Sequence, residues 1–336
     1  MSKAMSGWQR RIVWAPETNI GTAVTPTVLW NSTESDSLAF GEEPIDMMEA
    51  FTGARGAIST QLRTGIYAPG GDLGAAPIYM DGSSTDFLNL CHAFFQKYVR
   101  GTVDAEDAIY SYTFTQTDAQ LEGSVIRGLT VLKDTGFGSG KCPQLAGAVI
   151  DSMAFAWDFG GAITMTPTLM ALSAIENGTA PAAIAPSSAG YLQAPNISAT
   201  FNGTAIHPVG WKITLNNNID GVPGPSNEAW RTFSYGQATG EVELKVWADD
   251  DFYAHYVTPY DAMTVGTLVI TANVDVSYGT QASGTGYTAI WTVYTRVPAR
   301  PEMALARGEM VDTVTLTAIY DSYPSLAIHS VRTSDL

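Results

Sequence analysis

The sequence is poor in the residues that build several common kinds of functional site. It has two cysteines, Cys91 and Cys142, and no pattern of paired Cys or His accompanies them. This spacing indicates neither a disulfide framework nor a zinc knuckle. The four histidines are scattered, and none stands with a serine and an acid in a recognisable catalytic context. We therefore expect a protein that has no cofactor, binds no metal and is not an enzyme.

Long apolar runs are also missing. No stretch approaches the roughly eighteen apolar residues of a membrane span. Residues 1–11 lack the apolar region of a secretory signal. We expect a protein that is made and used in a cytoplasm, or assembled from one, and that has no membrane partner.

Basic residues are scarce. The chain has 17 Lys and Arg against 33 Asp and Glu, so its formal net charge is −16. Nucleic-acid-binding proteins use Lys and Arg to displace counterions from phosphates. This excess of acidic residues argues against ordinary nucleic-acid binding, but it leaves open a partner that must not adhere to the protein.

Two motifs suggest ligand sites and fail on spacing. Residues 136–142 read Gly-Phe-Gly-Ser-Gly-Lys-Cys, which has Thr135 where a phosphate-binding loop begins and Cys142 where such a loop carries its magnesium-binding hydroxyl. Residues 249–251 are three aspartates without the further oxygen ligands of a calcium loop. Both motifs are typical of turns, the second also capping a short helical segment that begins at Phe252.

What the sequence does contain is a repeat. Residues 63–67, Arg-Thr-Gly-Ile-Tyr, return 168 positions later (231 against 63) as Arg-Thr-Phe-Ser-Tyr. A second pair of echoes follows, residues 153–156 and 163–166 against residues 303–306 and 314–317. A period this long indicates duplicated domains rather than a short-repeat solenoid.

Short runs of Thr, Val, Ile, Tyr, Phe and Trp, punctuated by Gly and Pro, predict an all-β protein with minor α. We expect two tandem β-sandwich or barrel domains, each with a short flanking helix: residues 1–175 with an N-terminal arm, an Ala/Pro/Ser-rich linker at 176–195, and residues 196–336. Helical spacing over residues 85–95 predicts the best helix, with Phe87, Leu90, Cys91 and Phe94 on one apolar stripe. Strict alternation over residues 241–247 predicts a strand with one solvent-exposed face and one buried face.

Three blocks stand out: residues 15–21, residues 211–220 with their Asn-rich end, and residues 239–244, which follow Arg231. Together they resemble the tail tube proteins (major tail proteins) of long-tailed bacteriophages. The resemblance implies that both domains are tail-tube-like. It also implies a structural virion protein whose rings stack into the tail tube, an acidic conduit for DNA ejection. The alternative is a β-sandwich receptor-binding or carbohydrate-binding module of a phage or a surface.

The resemblance also implies partners and a location. The chain would assemble with itself in the host bacterial cytoplasm and reside in the virion tail. Two domains per chain favour a trimeric ring with pseudo-sixfold symmetry, and a hexamer is the alternative. Phage DNA would pass through the lumen without specific binding. Tail terminator, tape measure and baseplate or tip proteins would contact the tube.

Two sets of residues are candidates for these contacts. The lumen-lining candidates are Asp72, Glu241, Glu243 and Lys245, which could equally face the outer solvent. The candidates for ring stacking and contacts between subunits lie in the N-terminal arm and in two long loops: Trp8, Arg10, Arg11, Trp14, Arg55, Pro223 and Pro225.

Overall fold

The computed structural model describes residues 11–32, 36–40, 44–46, 62–64, 69–80, 85–104, 109–116, 127–134, 142–179, 184, 190–223, 230–247, 265–274, 287–297, 311–320 and 323–330. Within these ranges the chain forms 22 strands and one helix, α1 (Thr85–Phe95). The strands are β1 (Arg11–Pro16), β2 (Val28–Trp30), β3 (Pro44–Asp46), β4 (Leu62–Thr64), β5 (Gly70–Asp72), β6 (Ala76–Pro77), β7 (Tyr79–Met80), β8 (Tyr98–Asp104), β9 (Ile109–Thr115), β10 (Leu129–Asp134), β11 (Cys142–Asp158), β12 (Thr164–Gly178), β13 (Gly190–Phe201), β14 (Thr204–Ile206), β15 (Gly210–Asn216), β16 (Ile219–Pro223), β17 (Trp230–Tyr235), β18 (Thr239–Trp247), β19 (Gly266–Val274), β20 (Thr288–Arg296), β21 (Val311–Ala318) and β22 (Ser325–Ser330). The predicted all-β class with minor α is confirmed.

The longest strands, β11 and β12, form an antiparallel hairpin. Its turn contains Gly160 at a φ of +81°, a conformation that glycine adopts without steric cost. The pairing shifts between Ile150 and Ser152, where Asp151 is an extra residue on β11. Such a bulge bends the strand and exposes a backbone group to new partners.

A first sheet is built around this hairpin. Its order in space is segment 36–40, then β5 with β6, then β12, β11, β15, β18 and β21. Strand β10 pairs with the first part of β11 and carries β1 and β2 beyond it. Strand β11 therefore has two successive partners along one edge, β10 and then β15.

A second sheet runs in the order β13, β19, β20, β22, β9 and β8. It packs against the first sheet, because Trp291 of β20 has its ring centroid 5.5 Å from that of Phe155 on β11 and 5.5 Å from that of Trp211 on β15. Strand β20 also pairs with the end of β21, which joins the two sheets along one side. The apolar faces of both sheets thus enclose one core.

Helix α1 begins and ends at the residues that the sequence predicts. Its expected apolar stripe is buried, with Phe94 and Cys91 fully inaccessible to solvent. Leu88 and Phe95 are buried as well, and α1 contacts β11, β9 and β1. Burying an apolar side chain of this size contributes about 1.5–3 kcal/mol to stability. Because Leu88 and Phe95 lie outside the predicted stripe, packing on more than one side holds the helix in place. Within the described residues, no helix has both the length and the apolar character needed to span a bilayer.

The two halves of the chain share strands and core. Strand β15 pairs with β11, and β22 pairs with β9, in each case across the predicted linker. A single cluster of buried residues extends from Ile12 to Ile328. Parts of the predicted linker, 176–195, belong to β12 and β13. The division into two tandem domains is therefore not confirmed.

Each half nevertheless contains a separate pair of antiparallel strands. We call each pair an arm, which is distinct from the N-terminal arm predicted from the sequence. The first arm, β3 with β4, leaves the first sheet after segment 36–40 and returns at β5. The second arm, β16 with β17, leaves after β15 and returns at β18. The echo begins on the second strand of each arm, since Arg63 and Thr64 lie on β4 and Arg231 and Thr232 lie on β17; residues 65–67 lie outside the described residues.

Candidate assembly surfaces

The first sheet has one face toward the core and one face, here called the polar face, away from it. Paired residues of antiparallel strands point to the same side, so the register defines this surface. Its residues are mostly small or hydroxyl-bearing and are half-buried or exposed. They are Asp72, Thr168, Ser152, Asn216 and Thr239 in one row, Thr166, Ala154, Thr214, Glu241, Thr317 and Arg296 in the next, Thr164, Ala156, Lys212, Glu243 and Thr315 in a third, and Asp158, Lys245 and Thr313 in a fourth.

The structure brings all four lumen-lining candidates to the polar face. Asp72 accepts a hydrogen bond of 2.6 Å from the Thr168 hydroxyl. Glu241 and Glu243 alternate with buried Val242 and Leu244, as the sequence predicts. Lys245 lies 2.5 Å from the Asp158 carboxylate in an exposed ion pair. The candidates from the first and second halves therefore belong to one continuous surface.

The described part of the polar face is close to neutral. It carries the four carboxylates Asp72, Asp158, Glu241 and Glu243 against three basic groups, Lys212, Lys245 and Arg296, so its formal charge is −1. The formal charge of the whole chain is −16. Most of the excess acid therefore lies away from the described part of this face.

We call the junction between β11 and β15 the seam. Seven residue pairs join the two strands, from Ser152 with Asn216 to Asp158 with Gly210. At the bulge, the Asp151 carbonyl oxygen accepts a hydrogen bond of 2.7 Å from the Asn217 backbone N–H. The seam joins the halves by strand pairing, and the extra residue on β11 anchors the loop that follows β15.

A buried polar network reinforces the seam. The Asn217 side chain is 3% exposed and donates to the carbonyl oxygens of Phe94, at 3.0 Å, and Ile150, at 3.2 Å. Its oxygen accepts a hydrogen bond of 3.1 Å from Gln116, whose own oxygen accepts one of 2.8 Å from the Tyr320 hydroxyl. These groups link α1, β11 and the ends of β9, β15 and β21. Because buried polar groups are costly when unpaired, the network fixes the halves in one arrangement.

The second arm packs across the seam onto the first half. Ile219 and Phe233 bury Val149 of β11, with Met170 and Leu172 of β12 partly buried beside them. Since Met170 is two residues from Thr168, the arm covers one end of the polar face. At its base the Asp151 carboxylate accepts a hydrogen bond of 2.7 Å from the Ile219 N–H.

Two groups at the base of the second arm have shifted pKa values. Burial raises the pKa of Asp151, and the nearby Asp220 carboxylate adds to the rise, against the hydrogen bond from Ile219. Burial raises the pKa of Tyr235 too, and the Asp151 carboxylate reinforces that effect. The arm is thus seated over a partly desolvated carboxylate.

The ring-stacking candidates have different outcomes. Trp8, Arg10, Arg55 and Pro225 lie outside the described residues, and Pro223 is the last residue of β16. Arg11 forms an ion pair of 2.8 Å with Asp134 of its own subunit.

Trp14 requires a correction. Its side chain is 1% exposed, because β1 lies between β2 and β10 and turns this residue into the core. A buried side chain offers no surface to a neighbouring ring, so in this structure Trp14 is a core residue rather than a stacking contact.

One buried carboxylate, Glu17, was not predicted from the sequence. Glu17 is 1% exposed and accepts hydrogen bonds from the Gly21 N–H at 2.7 Å, the Gly147 N–H at 2.9 Å and the Thr130 hydroxyl at 2.8 Å. It ties the loop after β1 to β10 and β11. The only signal for it was its place in the family-like block of residues 15–21, since an acid after a strand and a proline otherwise indicates a solvated loop.

The described residues include no group of three or more His, Cys, Asp or Glu side chains placed to hold a metal ion. Residues 249–251 lie outside the described part of the chain. Cys91 is fully buried, which raises the pKa of its thiol well above its usual value and keeps it protonated. Cys142 is buried beside Asp134.

The family described as phage tail tube protein matches residues 7–318, which is nearly the whole chain. No curated protein matches the chain.

Proposed function

This chain belongs to the phage tail tube protein family, and from that premise we propose that its copies close into rings that stack into the tube through which DNA leaves the capsid. Membership makes it a structural component of the virion tail. The ring, its symmetry and the path of the DNA are the parts we infer.

The seam is the observation that carries this proposal. A strand of the second half, β15, pairs edge to edge with a strand of the first half, β11, in one continuous sheet. In the first half, segment 36–40 comes before the arm and lies beside β5, which comes after the arm and pairs with β12. In the second half, β15 comes before the arm and lies beside β18, which comes after the arm and pairs with β21. The echo between residues 163–166 and residues 314–317 falls at the start of β12 and on β21. Two like units joined by their edges form the contact that a ring repeats.

We therefore propose that the described end of the sheet at β21 faces the end at segment 36–40 of the next subunit. Pairing between subunits would cover sheet edges that otherwise favour aggregation. Three chains with two units each give a trimeric ring with pseudo-sixfold symmetry, and six chains give the alternative, a hexamer.

The polar face is our candidate for the lumen wall. Its opposite side is buried in the core, and its acidic and basic groups nearly cancel, so that it presents little net charge to a passing phosphate backbone. A cationic wall would bind DNA through counterion release, whereas a weakly anionic one leaves it free to slide. The described charge of −1 per subunit fits that role. Tail terminator, tape measure and baseplate or tip proteins are the partners that we propose for the tube ends and interior.

Electron cryomicroscopy of the purified chain, combined with native mass spectrometry, tests the proposal. We expect hollow rods, and rings whose mass is three times that of the 35.8 kDa chain. The density map should place Asp72 and Glu241 on the inner wall. A mass of six chains would select the hexamer, and a map with the polar face outward would overturn the lumen assignment. Isolated particles without a bore would favour the receptor-binding or carbohydrate-binding alternative.

A further inference from the structure

An exposed aromatic side chain lies at the turn of the longest hairpin. Phe159 follows the last residue of β11 and is 80% exposed. Its backbone N–H donates a hydrogen bond of 2.9 Å to the Val209 carbonyl oxygen, which ties the turn to the loop before β15. The turn is therefore held in place while its aromatic ring remains in solvent.

Phe159 borders a groove of about 380 Å³. The groove is lined mainly by apolar side chains, including Trp157, Ile197, Ile206 and Pro208. Trp157 is 6% exposed, and its indole N–H donates a hydrogen bond of 3.1 Å to the Gly161 carbonyl oxygen. A fixed groove beside an exposed phenyl ring is a surface that gains free energy when another apolar group covers it.

The same hairpin exposes a second large apolar side chain at its other end. Ile175, near the end of β12, is 53% exposed and pairs in register with Gln144 near the start of β11. At about 3.3 Å per residue, the 11 residue-to-residue steps from Thr164 to Ile175 span roughly 36 Å. The hairpin thus presents one exposed apolar residue at each end.

The direction of the strands indicates what the two ends of the hairpin face in an assembled tube, and this step rests on the proposed function. If a ring closes through the edges of its sheets, the hydrogen-bonding direction runs around the circumference. The strands then run from one rim of the ring toward the other, tilted as in any barrel. The Phe159 end and the Ile175 end therefore face the two neighbouring rings in the stack.

We propose that the Phe159 groove is the docking site for a second copy of this chain, which presents the Ile175 end of its β11–β12 hairpin from the next ring. The contact is heterologous, because two different surfaces meet. A heterologous contact along an axis does not close on itself, so each ring leaves the same surface free for the next. This is the geometry that a tube of indefinite length requires.

Substitutions at the two ends test the proposal. Phe159→Asp and Ile175→Asp each place a carboxylate in the apolar contact, and Phe159→Ser is the milder variant. Val99→Asp is the matched control, because Val99 is 66% exposed on β8, which pairs with β9 and not with either strand of the hairpin. We expect the three test variants to keep the ring mass in native mass spectrometry and to lose at least tenfold in tube length by electron microscopy, while the control forms tubes of normal length.

A cross-link tests the pairing of the two ends directly. The double variant Phe159→Cys with Ile175→Cys should form disulfide-linked ladders of several chains under mild oxidation, whereas each single variant should not. The native Cys91 and Cys142 are fully buried and do not compete. Normal tubes from Phe159→Asp, or tubes of the double variant that form no ladder, would overturn the docking site and leave the ring intact. A wild-type chain that forms no rings would contradict the proposed function itself.

Discussion

The side-chain amide of Asn217 donates a hydrogen bond to the carbonyl oxygen of Phe94 over 3.0 Å. Phe94 lies in the last turn of α1, where carbonyl groups have no partner within the helix. A loop of the second half therefore satisfies the end of a helix in the first half. The contact makes the two halves depend on each other for a fully paired core.

Replacing Asn217 should weaken the whole fold. In Asn217→Ala, the carbonyl groups of Phe94 and Ile150 lose their donor and Gln116 loses an acceptor, all in a buried region. Leaving such groups unpaired costs about 2–4 kcal/mol in total. Urea denaturation should show this loss of unfolding free energy. Asn216→Ala, on the polar face next door, should change it by less than about 0.5 kcal/mol, and equal effects of the two variants would contradict the assignment.

Glu17 should behave as a buried anchor rather than as a loop acid. Glu17→Ala removes the acceptor of three hydrogen bonds, and we expect a loss of about 3 kcal/mol in unfolding free energy. Glu17→Gln keeps the shape of the side chain but places its amide NH₂ group, a donor, against a group that also donates. It should lower the unfolding free energy by about 1–2 kcal/mol. Glu241→Ala, an exposed carboxylate, is the control. A Glu17→Ala variant as stable as that control would rule out the anchor.

The stability of the subunit should fall in mild acid. Burial and, second, the charge of Arg127 lower the pKa of His92 to about 4, against a hydrogen bond with Gln96 that acts the opposite way. In the unfolded chain His92 has its ordinary pKa near 6.5, so between about pH 6.5 and pH 4 it binds a proton that it does not bind in the folded chain. This contribution to stability is complete above pH 6.5 and is lost as the pH falls toward 4.

Thermal unfolding at a series of pH values measures the effect. His92→Gln should reduce the loss of stability between pH 7 and pH 4.5 by roughly 1 kcal/mol, after allowance for the partial exposure of the ring. Some acid sensitivity should persist, because burial lowers the pKa of His329 in the same direction. An unchanged pH profile in His92→Gln would show that its proton is not the cause.

Reversing charge on the polar face should make the tube hold DNA. Glu241→Lys with Glu243→Lys changes the described charge of that face from −1 to +3 per subunit. A cationic wall binds phosphates with strong salt dependence. Variant tubes should therefore retain short duplex DNA in co-sedimentation at low salt and release it at high salt. The control places lysines at Thr102 and Val99 on β8, and equal retention by control and variant tubes would show that the face does not meet DNA.

The N-terminal segment carries the stacking candidates Trp8 and Arg10. Removal of residues 1–10 leaves β1 complete, so the subunit should fold and resist urea as the full chain does. We expect such subunits to polymerise poorly, which electron microscopy and sedimentation can measure. Tubes of normal length and number after this deletion would exclude a stacking role for the segment.

Local periodicity in the sequence predicted the elements whose pattern is set by one boundary between core and solvent. Strand β18 alternates as expected, with Val242, Leu244 and Val246 buried, and α1 covers the predicted residues. Both predictions depend only on neighbours along the chain. The buried sides of Leu88 and Phe95 were not predicted, because they face strands that are distant in sequence.

What could not be predicted depends on which strands meet. Alternation marks a dry face but does not identify its partner, so the pairing of β11 with β15 and the burial of Trp14 had no local signal. The same holds for polar groups: Gln116 and Asn217 look solvated in sequence and become buried only because a helix end and two strand ends converge on them. Long-range pairing decided both outcomes.

The seam forms within a single polypeptide, so its closure does not depend on how concentrated the subunits are. A covalent tether gives the two edges an effective local concentration that separate molecules reach only in the millimolar range. In a ring of three such chains, half of the edge-to-edge joints would be complete before any encounter in solution. Formation of the first ring would then require two bimolecular associations before the last joint closes within the oligomer, where six single-unit chains require five, and this difference lowers the kinetic barrier to starting a tail.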